Sequence, residues 1–394
     1  MDGRWRALWV LSAARVAMGF QFQAVGSTAP LLREAFGLSL ADIGWLVGLY
    51  LLPGMLVALP GGVLSARLGD RRVAIAGTAG MVAGGAICAL ATGPGALEVG
   101  RLVGGAGGVL FNVTASKMVA DWFAGREIQL AMAIFVSTWP LGIGIGLLAL
   151  GALAAATSAS MAFAATAAFA AASLALVLAL YRPAPDAAPP GPLRWSALAP
   201  GDGTRLALAA SAWTTYNVGF AVLVAFLPTL LAARGLGVAD AGALSATLTA
   251  AAIVSVPLGG WLIARHGRPL GFSAVGALGA VVSLGAVYAG SEPAIWLLLG
   301  GLLWGAPAGP LSAAPAQFLS PGARAIGLGL FYTMFYVGMA VLPRATGALA
   351  DATGSPDTVL LVAIGMTLAS LALMVATQAA IAGRKAPQRP ATRP

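Results

Sequence analysis

Charge is scarce in this chain. Only 9% of its 394 residues are charged and 59% are hydrophobic, against roughly 25% and 45–50% in soluble globular domains. A soluble domain this apolar could not cover itself with polar surface, so a water-soluble fold is excluded. Cysteine is nearly absent: Cys88 stands alone in an apolar run, which excludes an internal disulfide and a cysteine metal cluster. The one histidine, His266, sits in a basic loop and reads as a solvated residue. Thirteen acidic residues remain, and none falls at the centre of an apolar run. No Ser/His/Asp, paired-carboxylate or metal-ligand set can be assembled from this inventory, so nothing supports an enzyme or calls for a cofactor. No signal peptide precedes the first apolar run, which is therefore expected to be retained as a span.

What is present is repetition. Gly61-Gly62-Val63-Leu64-Ser65-Ala66-Arg67-Leu68-Gly69 returns as Gly259-Gly260-Trp261-Leu262-Ile263-Ala264-Arg265-His266-Gly267, 198 positions later. At that offset Pro30, Gly37, Leu38, Ala41, Asp42 and Gly44 recur as Pro228, Gly235, Leu236, Ala239, Asp240 and Gly242. A shift held over some forty residues without a gap means two copies of one unit.

The apolar runs predict an all-α membrane protein of twelve transmembrane helices arranged as two six-helix bundles. Helices 1 to 6 fall near 7–31, 40–64, 73–92, 97–119, 129–153 and 159–181, and helices 7 to 12 near 204–232, 238–264, 270–290, 294–319, 325–348 and 357–381. The first bundle is expected over 1–181 and the second over 204–383. Between them, 182–203 carries six prolines and no apolar run, as a flexible linker does. The tail 384–394 is polar and basic. With both termini in the cytoplasm, 17 of the 22 basic residues lie in cytoplasmic segments and only Arg33 and Arg234 in outside loops. That bias predicts a multi-pass protein of the plasma (bacterial inner) membrane. It also accounts for the net charge of +9 through an anionic lipid leaflet, without nucleic acid.

Six helices, a linker and six helices, with Gly62-x-Leu64-x-x-Arg67-x-Gly69-x-Arg71 after helix 2 and Gly260-x-Leu262-x-x-Arg265-x-Gly267 after helix 8, resemble the major facilitator superfamily over essentially the whole chain. The resemblance implies a secondary transporter in which Gly62, Arg67, Gly69, Arg71, Gly260, Arg265 and Gly267 govern conformation. The family's motif has an acidic residue where Ala66 and Ala264 stand here, so the latch it implies for the outward-open state is missing. Asp70 lies close by, on the other side of the turn. In helix 5, Trp139-Pro140-Leu141-Gly142 departs from the family's antiporter signature, which has glycine before the proline. Ser137-Thr138-Trp139-Pro140, Asn217-Val218-Gly219 and Leu227-Pro228 are similar to stretches of its cyanate and nitroimidazole transporters.

Polar side chains at mid-depth in lipid are costly, so they mark candidate binding residues. Arg101, Gly105, Gly108 and Asn112 fall on one stripe of helix 4. Two polar groups about 16 Å apart with bare backbone between them suggest a cavity wall. The alternative for Arg101 is a clasp with Glu98 near the outer surface. Arg15, inward of the middle of helix 1, is a second candidate, with snorkelling to the headgroups as its alternative. Gln23 follows near the same face, whereas Gln21 points elsewhere as interhelical glue. The second half offers Asn217 in helix 7, Trp304 in helix 10 and Tyr332 and Tyr336 in helix 11. Pro307, Pro310 and Pro315 predict a bent helix 10. Two cations and no central carboxylate give a positive cavity. The expected activity is alternating-access transport of a small anion by a monomer, with Arg101, Arg15, Asn112, Gln23, Asn217, Tyr336 and Trp304 in contact with it. A neutral or aromatic solute of the drug-efflux kind, or a channel, are the alternatives.

Overall fold

The computed structural model of the chain describes residues 3–123, 127–184, 198–320 and 323–383. The first half comprises α1 (Gly3–Phe36), α2 (Leu40–Leu49), α3 (Gly54–Leu68), α4 (Asp70–Ala89), α5 (Pro94–Trp122), α6 (Ile128–Ala156) and α7 (Ala159–Leu180). The second comprises α8 (Asp202–Ala233), α9 (Val238–His266), α10 (Pro269–Tyr288), α11 (Pro293–Trp304), α12 (Ala308–Ala313), α13 (Arg324–Thr353) and α14 (Thr358–Ala382). Most of the expected linker and all of the tail from 384 lie outside the described residues.

Two of the twelve spans are broken. The second is α2 followed by α3, where the sequence predicts one helix. Pro53 has no N–H to offer the Leu49 carbonyl; the amides of Leu51 and Leu52 turn to Gly48 instead. The tenth span is α11, α12 and a 3₁₀ turn over Ala314–Gln317, the bend that its prolines predict. Among the described residues, eleven stretches are long and apolar enough to cross a membrane. The remaining span, α1, has 34 residues and includes Arg15, Gln21 and Gln23. These polar groups lower its hydropathy, and α1 packs on α6, α7 and α8, so they meet protein. Glycine allows close approach in these contacts: a Cβ on Gly19 would lie 2.4 Å from the Trp139 carbonyl oxygen of α6.

Helices alternate in direction, so Gly3, Leu68, Asp202, His266 and Ala382 lie at one end, here the terminal end, and Phe36, Leu40, Ala233 and Thr353 at the far end. The two halves meet only in part of this length. At mid-depth a Cβ on Gly54 would strike the Tyr336 ring at 2.4 Å. Outward from there α2 and α13 close up until an added Cβ would clash: on Gly48 with the Ala340 carbonyl oxygen at 2.0 Å, on Gly44 with that of Pro343 at 2.2 Å, and on Gly347 with that of Leu40 at 2.1 Å. The Asp351 carboxylate completes this seam by accepting the amides of Leu40 and Ala41 at 3.0 and 2.8 Å. A second seam joins α6 to α9, from Gly144 beside Thr249 to Gly242, where a Cβ would lie 2.5 Å from the Leu147 carbonyl oxygen. Gly44 and Gly242 are repeat partners, so the seams are two copies of one contact.

The buried core records the same division. One cluster draws on both halves, with Val25, Leu46, Val47 and Ile143 beside Val222, Ala225 and Met339. Toward the terminal end the cores separate. Leu11, Phe111, Phe123 and Phe135 belong to a first-half cluster, and Leu206, Phe318, Leu319 and Phe331 to a second-half cluster. The halves are sealed at the far end and parted at the terminal end.

Candidate solute-binding site

Where the halves part, α1 carries a guanidinium. The Arg15 Nη1 donates to Asn112 Oδ1 of α5, and its charged carbon lies 4.6 Å from the centre of the Phe135 ring of α6. From the second half, Tyr336 stands close to Asn112, and Tyr332 and Tyr336 both stand close enough to Arg15 to interact electrostatically. Three sequence candidates, Arg15, Asn112 and Tyr336, are thus brought together from α1, α5 and α13. Among the described residues none of the ion pairs involves Arg15, and its Nε is buried without a hydrogen-bond partner. An arginine at the centre of a span costs about 2.5–3.5 kcal/mol on insertion scales; here Asn112 and aromatic faces offset part of it, and no carboxylate does.

Arg101 sits differently from the sequence expectation. It is 1% exposed and spends its donors on backbone: Nε on the Leu46 carbonyl at 2.9 Å, Nη1 on Gln21 at 2.8 Å, Nη2 on Phe22 at 3.1 Å. Its charge lies 4.4 Å from the Tyr50 ring centre. The Leu46 carbonyl is free because the break after α2 diverts the Tyr50 amide to Val47. The clasp with Glu98 does not form either, since Glu98 takes the Trp45 indole N–H at 3.0 Å. The glycine stripe is a packed seam rather than a cavity wall: a Cβ on Gly105 would lie 2.0 Å from the Tyr50 carbonyl oxygen. Only its Asn112 end reaches the space between the halves.

The remaining candidates divide. Gln23 is 1% exposed and its Nε2 donates to the Val224 carbonyl of α8 at 2.8 Å, so it ties the halves together above the site. Asn217 donates to the Trp213 carbonyl within α8 at 2.8 Å. It precedes Val224 by seven residues while Arg15 precedes Gln23 by eight, which puts both at a similar depth, about 10–12 Å inward of that tie. Trp304 is 3% exposed and packs inside the second half against Tyr216 and Phe220 at 5.9 and 6.0 Å between ring centres, away from Arg15. Gln21 is glue as expected, donating to the Met81 carbonyl and accepting from Tyr50. The sequence candidates did not include Phe135 and Phe335; the signal for the latter was the aromatic run Phe331, Tyr332, Phe335, Tyr336 on α13.

Residues 11–318 match the model of the Major Facilitator Superfamily. The chain belongs to this superfamily. Solved transporters of similar fold include the nucleoside transporter NupG, with a TM-score of 0.72 at 15% identity over 96% of this chain and 100% of that one. Another is a D-xylose-proton symporter, with a TM-score of 0.73 at 14% identity over 94% and 97%. Among curated proteins, a probable actinorhodin transporter of Streptomyces coelicolor is 28% identical over 132 residues, 34% of this chain and 23% of that protein. A major facilitator superfamily multidrug transporter of Aspergillus fumigatus is 31% identical over 124 residues, 31% of this chain and 24% of its own length. The chain therefore spans about a quarter of the length of these curated relatives. It is a multi-pass membrane protein of this superfamily.

Within this superfamily member the repeated glycine–arginine motif lies at the terminal end, away from Arg15. Gly62 is in α3 and Gly260 in α9. Gly69, at φ 86°, makes the turn from α3 to α4, and Gly267, at φ 65°, ends α9; both need the left-handed freedom of glycine. Arg67 is exposed, Arg71 donates to the Leu178 carbonyl of α7 at 2.8 Å, and Arg265 lies over Trp261. With Ala66 at the family's acidic position, the acid here is Asp70, which takes Lys117 of α5 at 2.7 Å; Lys117 also pairs with Asp121 at 2.7 Å.

Proposed function

We propose that this transporter moves a small organic anion across the plasma membrane by secondary, alternating-access transport, binding it at Arg15 with Asn112 and Tyr336. The observation that carries the reading is a mid-membrane guanidinium, shared between the halves and lacking a carboxylate partner among the described residues. A solute anion supplies the missing charge. A guanidinium fork suits a carboxylate or sulfonate in two-point contact. Because the cation stands where the halves part, an anion held there touches both halves at once and is released when they separate. The basic residues gather at the terminal end, so that end faces the cytoplasm, and the state described is open to it. Residues 1–181 and 204–383 move as the two bodies, joined by the proline-rich linker.

A panel of organic anions and cations, scored by thermal stabilisation of the purified chain, tests this, since binding to the folded state raises the melting point. The best ligand is expected to be an anion. Truncating one partner of a buried charged pair costs roughly 2–5 kcal/mol, so Arg15→Gln should weaken it at least about tenfold, with Arg15→Lys recovering part. A cation as best ligand, or unchanged affinity in Arg15→Gln, overturns the reading.

A further inference from the structure

We infer that the solute is an aryl anion, whose ring lies against the aromatic wall that the second half presents to Arg15; this rests on the anion reading above and deepens it. The argument begins with a contrast along α13. Where that helix packs on α2 it offers small or kinked positions, Ala340, Pro343 and Gly347, each against α2 backbone. One turn inward, where the halves part, it carries Tyr332, Phe335 and Tyr336. Tyr336 still packs on Gly54 of the opposing half, but beyond it Tyr332 is 40% exposed, so packing between helices does not account for its ring.

These rings form a continuous edge-to-face surface. Phe335 stands 5.0 Å from Tyr336 at 63° and 6.3 Å from Tyr332 at 89°, and Trp213 of α8 extends it at 6.3 Å from Phe335. Tyr332 is 40% exposed although it adjoins the half-buried Arg15, so its face is available. Across from it the Arg15 guanidinium already lies on the Phe135 ring. Charge, hydrogen-bonding amide and aromatic face are therefore within one molecule's reach. The second half adds no charge of its own to this surface among the described residues. Its Trp213 indole N–H is buried without a partner, which suits a ring bearing an acceptor and disfavours one bearing a second donor.

An acid with a saturated ring matches an aryl acid in charge and nearly in size, and differs in having no π face. Aromatic contacts contribute about 0.5–1.5 kcal/mol each beyond area burial, so two of them give about a tenfold preference. The test compares 2-naphthoate with decahydro-2-naphthoate, and adds uncharged 2-naphthalenemethanol, by calorimetric titration of the full chain in detergent. The expected result is that naphthoate binds about tenfold tighter than its saturated counterpart. Tyr332→Leu combined with Phe335→Leu should narrow that ratio to about twofold or less. Equal affinity for the two acids in the native chain, or a preference that survives in the double variant, overturns the inference while leaving the anion reading in place. Strong binding of the alcohol with neither acid bound overturns the anion reading and keeps the aryl wall. Failure of all three probes to bind overturns both. Should the double variant not fold, the single variants Tyr332→Phe and Phe335→Leu separate the cases: Tyr332→Phe should preserve the ratio and Phe335→Leu reduce it.

Discussion

Arg15 and Arg101 are the same residue type, both within spans, and their fates differ through what each nitrogen touches. Arg101 holds the carbonyls of Gln21, Phe22 and Leu46 and so pins α1 and the broken end of α2 to α5. Removing one partner of such a buried, hydrogen-bonded group costs about 3–5 kcal/mol. Arg101→Gln should therefore lower the melting temperature by several degrees, while the folded fraction binds solute within about twofold of the native chain. Melting curves and titrations on the same preparation check this. A variant that keeps its stability and loses affinity would return Arg101 to the solute site. Arg15→Gln should do the reverse, because its guanidinium carries an unpaired Nε and one amide partner rather than three carbonyls.

At the level of helices, the seam between α2 and α13 is the feature most open to manipulation. The Asp351 carboxylate caps the first turn of α2 from the opposite half, beside the local box in which Ser39 and Asp42 cap the same helix. A cap contributes about 0.5–2 kcal/mol, and this one exists only while the far end is shut. Asp351→Ala should shift the equilibrium toward a far-open state by roughly fivefold, about 1 kcal/mol. Gly48→Leu should shift it further, since even a Cβ there would fall 2.0 Å from the Ala340 carbonyl oxygen. Spin labels at Ala35 and Ser291, both exposed near the far end, measure it as a widened distance. An unchanged distance in a folded Gly48→Leu protein would show that α2 and α13 do not form the gate.

For the whole molecule the expected motion is one half rocking on the other about the site. The lone cysteine makes accessibility easy to read, because Cys88 is buried and should stay unlabelled. Cysteine placed at Leu328, which is 38% exposed on the Tyr332 side of α13, should react with a membrane-impermeant maleimide from the terminal side. Cysteine at Met339, 6% exposed in the sealed layer, should be protected. Labelling in vesicles of known sidedness also tests which end is cytoplasmic: reaction of the Leu328 position from the outside would reverse the orientation. Transport that saturates and supports counterflow distinguishes a carrier from a channel.

The sequence by itself determined what depends on local pattern and on the solvent. Apolar length set the spans, the 198-residue offset set the two bundles, and Pro307, Pro310 and Pro315 broke the tenth span as their missing amides require. The repeat even contained the two seams, since Gly44 and Gly242 lie at equivalent places in them. Only the tertiary structure decided which arginine stands in the gap between the halves. That choice depends on carbonyls supplied by other helices. The Leu46 carbonyl became available through the break at Pro53 and Tyr50, and the glycine stripe of α5 let Tyr50 settle beside Arg101. Arg15 met no such carbonyls, because α1 at its depth faces the gap between the halves. A guanidinium costs the same in lipid wherever its codon falls; whether backbone or a solute neutralises it is settled by packing between distant segments.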